Sequence, residues 1–399
     1  MKKLSVKDLD PRGRRVFVRV DYNVPLSSEG GAASVADDRR IVESLPTLRA
    51  VLEGGGSIVA ASHMGRPRGK KDPRASLAPV ARRLADLLGR PVTFANDCIG
   101  PEVRALAASL KPGGVLLLEN LRYHKEEEAD DASFAAELAA LGDLYVNDAF
   151  GSAHRAHASV HAIVRGFPQA AAGILMDKEI SALSRILTDP ARPFTVVVGG
   201  AKVSDKLDLL ENLIERCNAM IVGGAMAFTF LRALGHEIGA SLVEPEKEMQ
   251  ARDLVTLAAV RGVSLLLPED HMEAKARTTE AGRPTRGPAV SAGYMGLDIG
   301  PKTISSFRAE IKKAKTILWN GPMGKFEDRS FAAGTEAVAR AIAATSAFSV
   351  VGGGDSAAAV KQFGLEAEFS HISTGGGATL EYLSGKTLPG VAVLTDAAG

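Results

Sequence analysis

Four stretches of the chain set Arg or His beside short polar side chains. They are Arg19-Val20-Asp21-Tyr22-Asn23, Ser62-His63-Met64-Gly65-Arg66, Glu119-Asn120-Leu121-Arg122 and the run NDAFGSAHR from Asn147 to Arg155. Each follows a short apolar run, and Arg40 stands where a helix would open after the first loop. A guanidinium fork grips oxygens in pairs and does not deprotonate. One such Arg could simply pair with a surface carboxylate. Four in the same position after an apolar run suit a small, multiply charged phosphate or carboxylate.

The second half offers glycine instead. Gly199-Gly200-Ala201-Lys202, Gly223-Gly224, Gly352-Gly353-Gly354-Asp355 and Gly375-Gly376-Gly377 also follow apolar runs. Glycine lets backbone N–H groups approach phosphate oxygens, and a helix N-terminus adds a favourable dipole. Lys202 and Lys206 stand one helical turn apart, so both could reach one ligand. Asp355 could hold a metal ion on a polyphosphate. Tight strand-to-helix turns alone could use any one of these glycine pairs. Four of them with a Lys pair and an Asp read as a nucleotide site.

Three near-matches carry less. Gly65–Lys71 (GRPRGKK) is one residue short of a P-loop and lacks the Ser or Thr after Lys. Gly352–Ala357 (GGGDSA) fits a relaxed dinucleotide fingerprint without a clear βαβ unit ending in a lone acidic residue. It keeps a dinucleotide-dependent dehydrogenase open as a rival reading. His154, His157 and His161 would share a face on a helix and could bind zinc, but no carboxylate or Cys is near them in sequence. An anion-binding role suits them better.

The elements that must position these groups recur in one pattern: a β-branched or Leu-rich run, a Gly, Asn or Asp, then a helix-like segment. The runs are Val16–Val20, Ser57–Ala61, Val115–Leu118, Leu144–Val146, Phe194–Val198, Ala219–Val222, Ser264–Leu267, Thr316–Trp319, Phe348–Val351 and Phe369–Ile372. Near-continuous apolar strands belong to parallel sheets covered on both faces. Alternation with helices predicts a doubly wound α/β fold. Ligands in such sheets bind at the carboxyl ends of the strands, where both residue sets stand.

The chain has 399 residues, and one core stops growing near ~250–300, so two domains are expected. The Gly166–Gly173 stretch reads as the boundary. Asp177–Leu187 reads as a helix, with Ile180, Leu183 and Leu187 on one face and Pro190 as its stop. Val391, Val393 and Leu394 predict a docked tail, Trp319 a core aromatic, and Tyr22 a ring packed under the first loop. Net charge is +1, which gives no general attraction to nucleic acid or membrane. Cys98 and Cys217 are far apart and outside any CxxC pattern, as suits a reducing compartment. No run reaches the ~20 apolar residues of a membrane span, and the charged start (Met1-Lys2-Lys3) does not read as a secretory signal. A cytoplasmic protein is expected.

RVDYNVP (Arg19–Pro25), SHMGRP (Ser62–Pro67), LLENLRYH (Leu117–His124), VNDAFGSAHRAHAS (Val146–Ser159), GGAKVSDKL (Gly199–Leu207), WNGPMGKFE (Trp319–Glu327), GGGDS (Gly352–Ser356) and STGGGATLEYLSGKTLPGV (Ser373–Val391) together resemble the phosphoglycerate kinase family, in its order and over essentially the whole chain. The resemblance implies two doubly wound parallel-sheet (Rossmann-like) domains joined by an interdomain helix and hinge. Residues 1–172 would bind phosphoglycerate, 173–188 would form the hinge and helix, and 189–379 would bind nucleotide. The tail, 380–399, would pack back on the first domain. The implied 3-phosphoglycerate ligands are Asp21, Asn23, Arg40, His63, Arg66, Arg122 and Arg155. The implied nucleotide positions are Gly199, Gly200, Lys202, Lys206, Gly224, Asn320, Pro322, Glu327, Gly352, Gly353, Gly354, Asp355 and Ser356, with Glu327 on the ribose and Asp355 on Mg²⁺. Arg40, Lys202, Gly376 and Gly377 would attend the transferring phosphoryl group.

The family's reaction is Mg²⁺-dependent transfer between 1,3-bisphosphoglycerate and ADP, by direct in-line displacement after domain closure, in a monomer. Tyr22 stands where Phe is usual, Met64 where Leu is, and Arg39 where Thr is common. Pro268–Ala276 is more charged than the family's usual strand exit. A phosphoanion-binding scaffold on the same fold is a third reading, but it would lack Lys202, Asp355 or Arg40, and all three are present.

Overall fold

Valine, isoleucine and leucine runs that are buried on both faces form the inner strands of two parallel six-stranded sheets, one in each of two units. A computed structural model describes residues 2–27, 33–275 and 282–397. One unit comprises Met1–Ser181 with Thr387–Gly399, and the other Ala182–Lys386.

In the first unit the strands are β1 (Arg15–Arg19), β2 (Ser57–Ala61), β3 (Thr93–Phe94), β4 (Val115–Leu117), β5 (Leu144–Asn147) and β6 (Ala170–Ala172), in the order β3-β4-β2-β1-β5-β6. Val16, Val18, Ile58, Ala60 and Val146 point into a core completed by Leu48 and Leu84 from the helices Arg39–Glu53 and Ala78–Leu88. The chain leaves β1 towards β2 and returns on its other side at β5. The topological switch therefore lies between β1 and β5, where the Asp148 N–H donates to the Arg19 carbonyl at 2.8 Å.

Gly166–Gly173 is not a bare linker. Ala170–Ala172 inside it is the edge strand β6, paired in register with Tyr145–Asn147. The helix that follows runs Ile174–Thr188, three residues earlier than the apolar pattern suggests. Its first turn is capped by residues remote in sequence: Ile174 N–H donates to Thr47 Oγ1 at 2.8 Å and Met176 N–H to Asp148 Oδ1 at 3.1 Å. A Cβ at Gly173 would fall 2.1 Å from Asp148 Oδ1, so only glycine fits. Burial pushes the Asp148 carboxyl up to about 7 despite the donors from Thr47, Met176 and Leu175.

Residues beyond Thr387 complete this unit. Leu388, Val391 and Leu394 are buried, and Val393 is half-buried. Gly390 donates to the Ala153 carbonyl, and Thr395 N–H to the Ala170 carbonyl of the edge strand. Leu4 bridges the same edge, donating to Thr395 and accepting from Ala172. Residues 380–383 of the helix Gly377–Leu383 belong with the second unit, which extends to Lys386.

In the second unit β7 (Phe194–Val198), β8 (Ala219–Val222), β9 (Ser264–Leu266), β13 (Thr316–Asn320), β14 (Phe348–Gly352) and β15 (His371–Ile372) run parallel in the order β9-β8-β7-β13-β14-β15. Between β9 and β13 the chain forms an antiparallel trio, β10 (His271–Lys275), β11 (Arg283–Pro284) and β12 (Tyr294–Ile299), with β10 in the middle. Most of the charged stretch Pro268–Ala276 is thus a strand; Ala276 itself lies outside the described residues. Trp319 is fully buried among Val197, Ile317, Phe307 and Val351. The switch point falls between β7 and β13.

Candidate functional site

At the carboxyl ends of the first sheet, an ion pair and hydrogen bonds tie down several of the turns that carry the basic residues. Arg40, in the first turn of the helix Arg39–Glu53, pairs through Nη1 with Asp21 Oδ2 at 2.9 Å. Asn23 Oδ1 accepts from Gly65 N–H at 2.9 Å, tying the turn after β1 to the turn after β2. Arg122 Nη1 donates to the Gly65 carbonyl at 2.8 Å, and its Nε lies 3.3 Å from Glu128. Arg155 Nε donates to His154 Nε2 at 3.1 Å. Arg66 is exposed on the turn it shares with Gly65.

His63 is buried, and Arg19 Nη2 approaches its Nδ1 at 3.2 Å. Burial, reinforced by Arg19, Arg122 and Arg40, holds the imidazole well below its ordinary value, although Asp21 pulls it upward. Asp21 moves the other way. Burial would raise it, but His63, Arg40 and Arg19 outweigh that and keep the carboxylate low. Burial with the like charges of Arg19 and Arg155 also lowers Arg122, against Glu128 and Glu127. Such crowding of cations is costly without an anion, which is what a site built for one should show.

Beneath this rim lies a network the sequence alone does not reveal. Arg19 Nε donates to Ser159 Oγ at 2.8 Å, and Ser159 donates through Oγ and N–H to the fully buried Glu127 at 2.6 and 2.9 Å. The Arg19 guanidinium also donates to the Val20 carbonyl. Arg19 and Glu127 are 108 positions apart; Arg19 stands out as a charge inside an apolar run, whereas Glu127 is one of three consecutive glutamates and carries no such signal. The three histidines do not share a helix face, because 154–161 is a chain of turns. Carboxylates do reach them from elsewhere: His161 Nδ1 meets Asp130 at 2.6 Å, and His157 Nδ1 is 3.9 Å from Glu127. Burial and the neighbouring cations pull His157 down to about 4.

In the second unit the turns after β7, β8 and β13 pack backbone on backbone, and side chains tie in the turn after β14. Gly199 N–H donates to the Asn320 carbonyl and Gly200 N–H to that of Pro322, both at 2.9 Å, across the switch point. A Cβ at Gly199 would lie 2.1 Å from the Pro322 oxygen, and one at Gly224 2.5 Å from the Gly200 nitrogen. Gly200, Gly224, Gly353 and Gly376 all have positive φ. Glycine is needed here for contact as well as for turning. Asn320 Nδ2 donates to the Gly352 carbonyl at 2.8 Å, and Gly321 N–H to Ser356 Oγ at 2.5 Å. Gly354 opens the helix Gly354–Gln362, and Gly377 opens Gly377–Leu383.

These turns border a cavity of about 270 Å³, whose lining includes Gly200, Gly224, Pro322, Glu327 and Asp355. Apolar walls from Phe228, Leu242 and Met323 give it one greasy side. That combination suits a flat base beside charged phosphates. Residues 202–206 form a turn, so the two lysines part company. Lys202 is exposed, whereas Lys206 donates to the carbonyls of Gly199 and Asn320 at 2.5 and 3.0 Å. Burial draws Lys206 down to about 8, against Asp355 and Asp205. As it stands, Lys206 braces the two turns. Asp298, missed in the sequence, lines the same cavity; burial pushes it up to about 7, although it accepts from Gly334 and Ile299 N–H.

The family profile described as Phosphoglycerate kinase matches residues 6–386. The protein named phosphoglycerate kinase from Moorella thermoacetica is 52% identical over 399 residues, covering 99% of this chain and 100% of that one. The phosphoglycerate kinase of Chlorobaculum tepidum is 52% identical over 400 residues, with 99% and 100% covered. Among solved structures, phosphoglycerate kinase from Coxiella burnetii superposes with a TM-score of 0.89 at 40% identity, and that from Pyrococcus horikoshii OT3 with 0.81 at 33%; both cover 98% of each chain.

Proposed function

The chain belongs to the phosphoglycerate kinase family and transfers a phosphoryl group reversibly between 1,3-bisphosphoglycerate and ADP, giving 3-phosphoglycerate and ATP; from that premise we propose how its residues divide the work. The observation that carries the division is the pair of contrasting switch points. One is rimmed by cations, the other by glycine backbone around a cavity.

Asp21, Asn23, Arg40, His63, Arg66, Arg122 and Arg155 bind 3-phosphoglycerate. The guanidiniums meet its phosphate and carboxylate, and His63 serves as a neutral donor. Gly199, Gly200, Gly224, Asn320, Pro322, Gly352, Gly353, Gly354 and Ser356 shape the nucleotide site, with Glu327 toward the ribose. Lys206 holds the turns that approach the phosphates. Phosphoryl transfer asks for in-line positioning and charge on the equatorial oxygens. Lys202 and Arg40 supply that charge, and Gly376 and Gly377 add backbone donors. No protein nucleophile is needed, so transfer is direct and inverts a chiral phosphorus. Because the two ligand sets stand on separate units, transfer requires the units to bring them together, which also expels water from the acyl phosphate.

Asp355 is an exposed carboxylate bordering the cavity beside Gly200, the hard oxygen donor that Mg²⁺ takes alongside phosphate oxygens. It fits the ion, and Mg²⁺ bound there would neutralise phosphate charge. One chain holds both ligand sets, so a monomer suffices. Among the described residues no helix is long and apolar enough to cross a membrane; we place the reaction in the cytoplasm, as a glycolytic and gluconeogenic step, where its nucleotide and thiols would be at home.

The test is phosphorylation of 3-phosphoglycerate by ATP, coupled to reduction of the product and read as NADH loss. Turnover that disappears with EDTA supports the assignment. Binding of both substrates without turnover would defeat it in favour of a scaffold.

A further inference from the structure

Away from both switch points, one cluster joins a soft donor to two harder ones. Asp97 and Cys98 lie in the turn after β3, and His124 follows the short helical turn after β4. β3 and β4 are neighbours in register, Phe94 opposite Leu117, so the turns leaving their carboxyl ends meet. One ligand atom each from Asp97, Cys98 and His124 all lie within 4.8 Å of one another. His124 Nε2 is 2.6 Å from Asp97 Oδ1, and Asp97 Oδ2 accepts from Lys71 Nζ at 3.0 Å. Cys98 is buried, whereas Asp97 and His124 are half-buried, which leaves a way in from solvent.

We propose that Asp97, Cys98 and His124 form a site for a zinc-class transition ion, with the Lys71 ammonium as the cation that neutralises Asp97 when the ion is absent. Thiolate, imidazole and carboxylate are the donors such an ion accepts, with a fourth position open to water. Magnesium, which wants six oxygens, is poorly served by them. Bond lengths of about 2.0–2.3 Å place tetrahedral ligand atoms roughly 3.3–3.7 Å apart. The His124–Asp97 pair must open by about an ångström and the thiol close by up to a similar amount, which χ rotations supply. On binding, Cys98 gives its proton to solvent, and His124 carries its hydrogen on Nδ1 instead of donating from Nε2 to Asp97. Lys71 keeps its proton and turns to solvent, so the thiol proton is the one released per ion. Burial and the Asp97 charge keep the thiol well above its ordinary value without an ion, so Cys98 is not a thiolate by default.

The experiment titrates the chelator-washed full-length protein with Co²⁺ and follows thiolate-to-cobalt charge transfer in the near-ultraviolet. The expected result is a band that saturates at one ion per chain, yields to Zn²⁺ and ignores excess Mg²⁺. Cys98→Ser removes the band and Cys217→Ser keeps it. His124→Ala weakens binding by more than about tenfold, since even outer-shell partners of a metal are worth that much. Lys71→Met, at a mostly exposed side chain, tightens binding roughly threefold, the worth of a surface ion pair that no longer competes. Absence of a thiolate band in the wild type, a band that follows Cys217, or affinity indifferent to both Lys71 and His124 would overturn the proposal.

Discussion

Arg19 Nη2 lies 3.2 Å from His63 Nδ1, and this fixes which ring nitrogen carries hydrogen. A guanidinium has no acceptor, so Nδ1 must accept, and the neutral ring keeps its hydrogen on Nε2. Burial and the surrounding cations also hold the ring well below its ordinary value. Nitrogen-15 spectra of the imidazoles should show His63 as the Nε2–H tautomer, without titration between about pH 6 and 8. A His63 that titrates in that range, or carries hydrogen on Nδ1, would refute its role as a neutral donor.

Arg66 and Arg122 should fail differently. Arg66 is exposed, so Arg66→Ala should raise the KM for 3-phosphoglycerate by roughly ten- to a hundredfold, the worth of one or two charged hydrogen bonds, with Tm unchanged. Arg122 is buried and holds the Gly65 carbonyl. Arg122→Ala should therefore raise the KM and lower Tm together. An unaltered KM in Arg66→Ala would remove it from the site.

The glycines of the nucleotide site separate into two kinds. Gly199→Ala drives a methyl onto the Pro322 oxygen and should cost roughly 1–3 kcal/mol while raising the KM for ATP. Gly354 has nothing within 4 Å of its missing Cβ, so Gly354→Ala should leave unfolding unchanged. Equal stability of the two variants would show that backbone contact is not why Gly199 is glycine.

Lys202→Ala should lower kcat by roughly 10²–10³ and move the substrate KM values little, because its charge matters most in the transition state. Lys206→Ala should differ: it removes the brace between Gly199 and Asn320, so Tm should fall as well. A normal kcat in Lys202→Ala would take that lysine out of the mechanism.

Asp148 predicts a pH effect on stability. Its carboxyl is raised to about 7 in the fold from 3.8, so between those values the folded protein holds a proton that the unfolded chain has lost. Its contribution is whole below about pH 4 and is lost as pH rises through 7. Asp148→Asn cannot ionise. Its stability relative to wild type should rise across that interval by up to about 4 kcal/mol, measured by urea unfolding. A constant difference would mean that Asp148 is ionised throughout.

All ten apolar runs read in the sequence contribute to strands, because a strand buried on both faces, such as Phe194–Val198, leaves an unbroken β-branched signature. Two short edge strands leave none. Thr93–Phe94 is two residues long, and Ala170–Ala172 reads as flexible because alanine and glycine also mark linkers. The antiparallel trio hides because His271–Lys275 carries His, Glu and Lys in a strand. The candidate site residues that follow strands can be picked out in the sequence because topology fixes which ends of the strands face a ligand. Arg19–Ser159–Glu127 cannot be, since its members meet across 140 and 32 residues. The separation of Lys202 from Lys206 is hidden for another reason: four residues span one turn of a helix, but here the chain makes a turn instead.

The first unit is not continuous in the chain. Its edge strand Ala170–Ala172 is finished by Leu4 and Thr395, and Gly390 sits where a side chain would strike Val160. Synthesised from the amino end, residues 2–181 would wait, with Ala170 unpaired at the edge and an apolar patch uncovered, until the entire second unit had been made. The first half of the molecule is thus the first to be translated and the last to be sealed, and a nascent chain stalled before Thr387 would present a sticky edge for chaperones to cover.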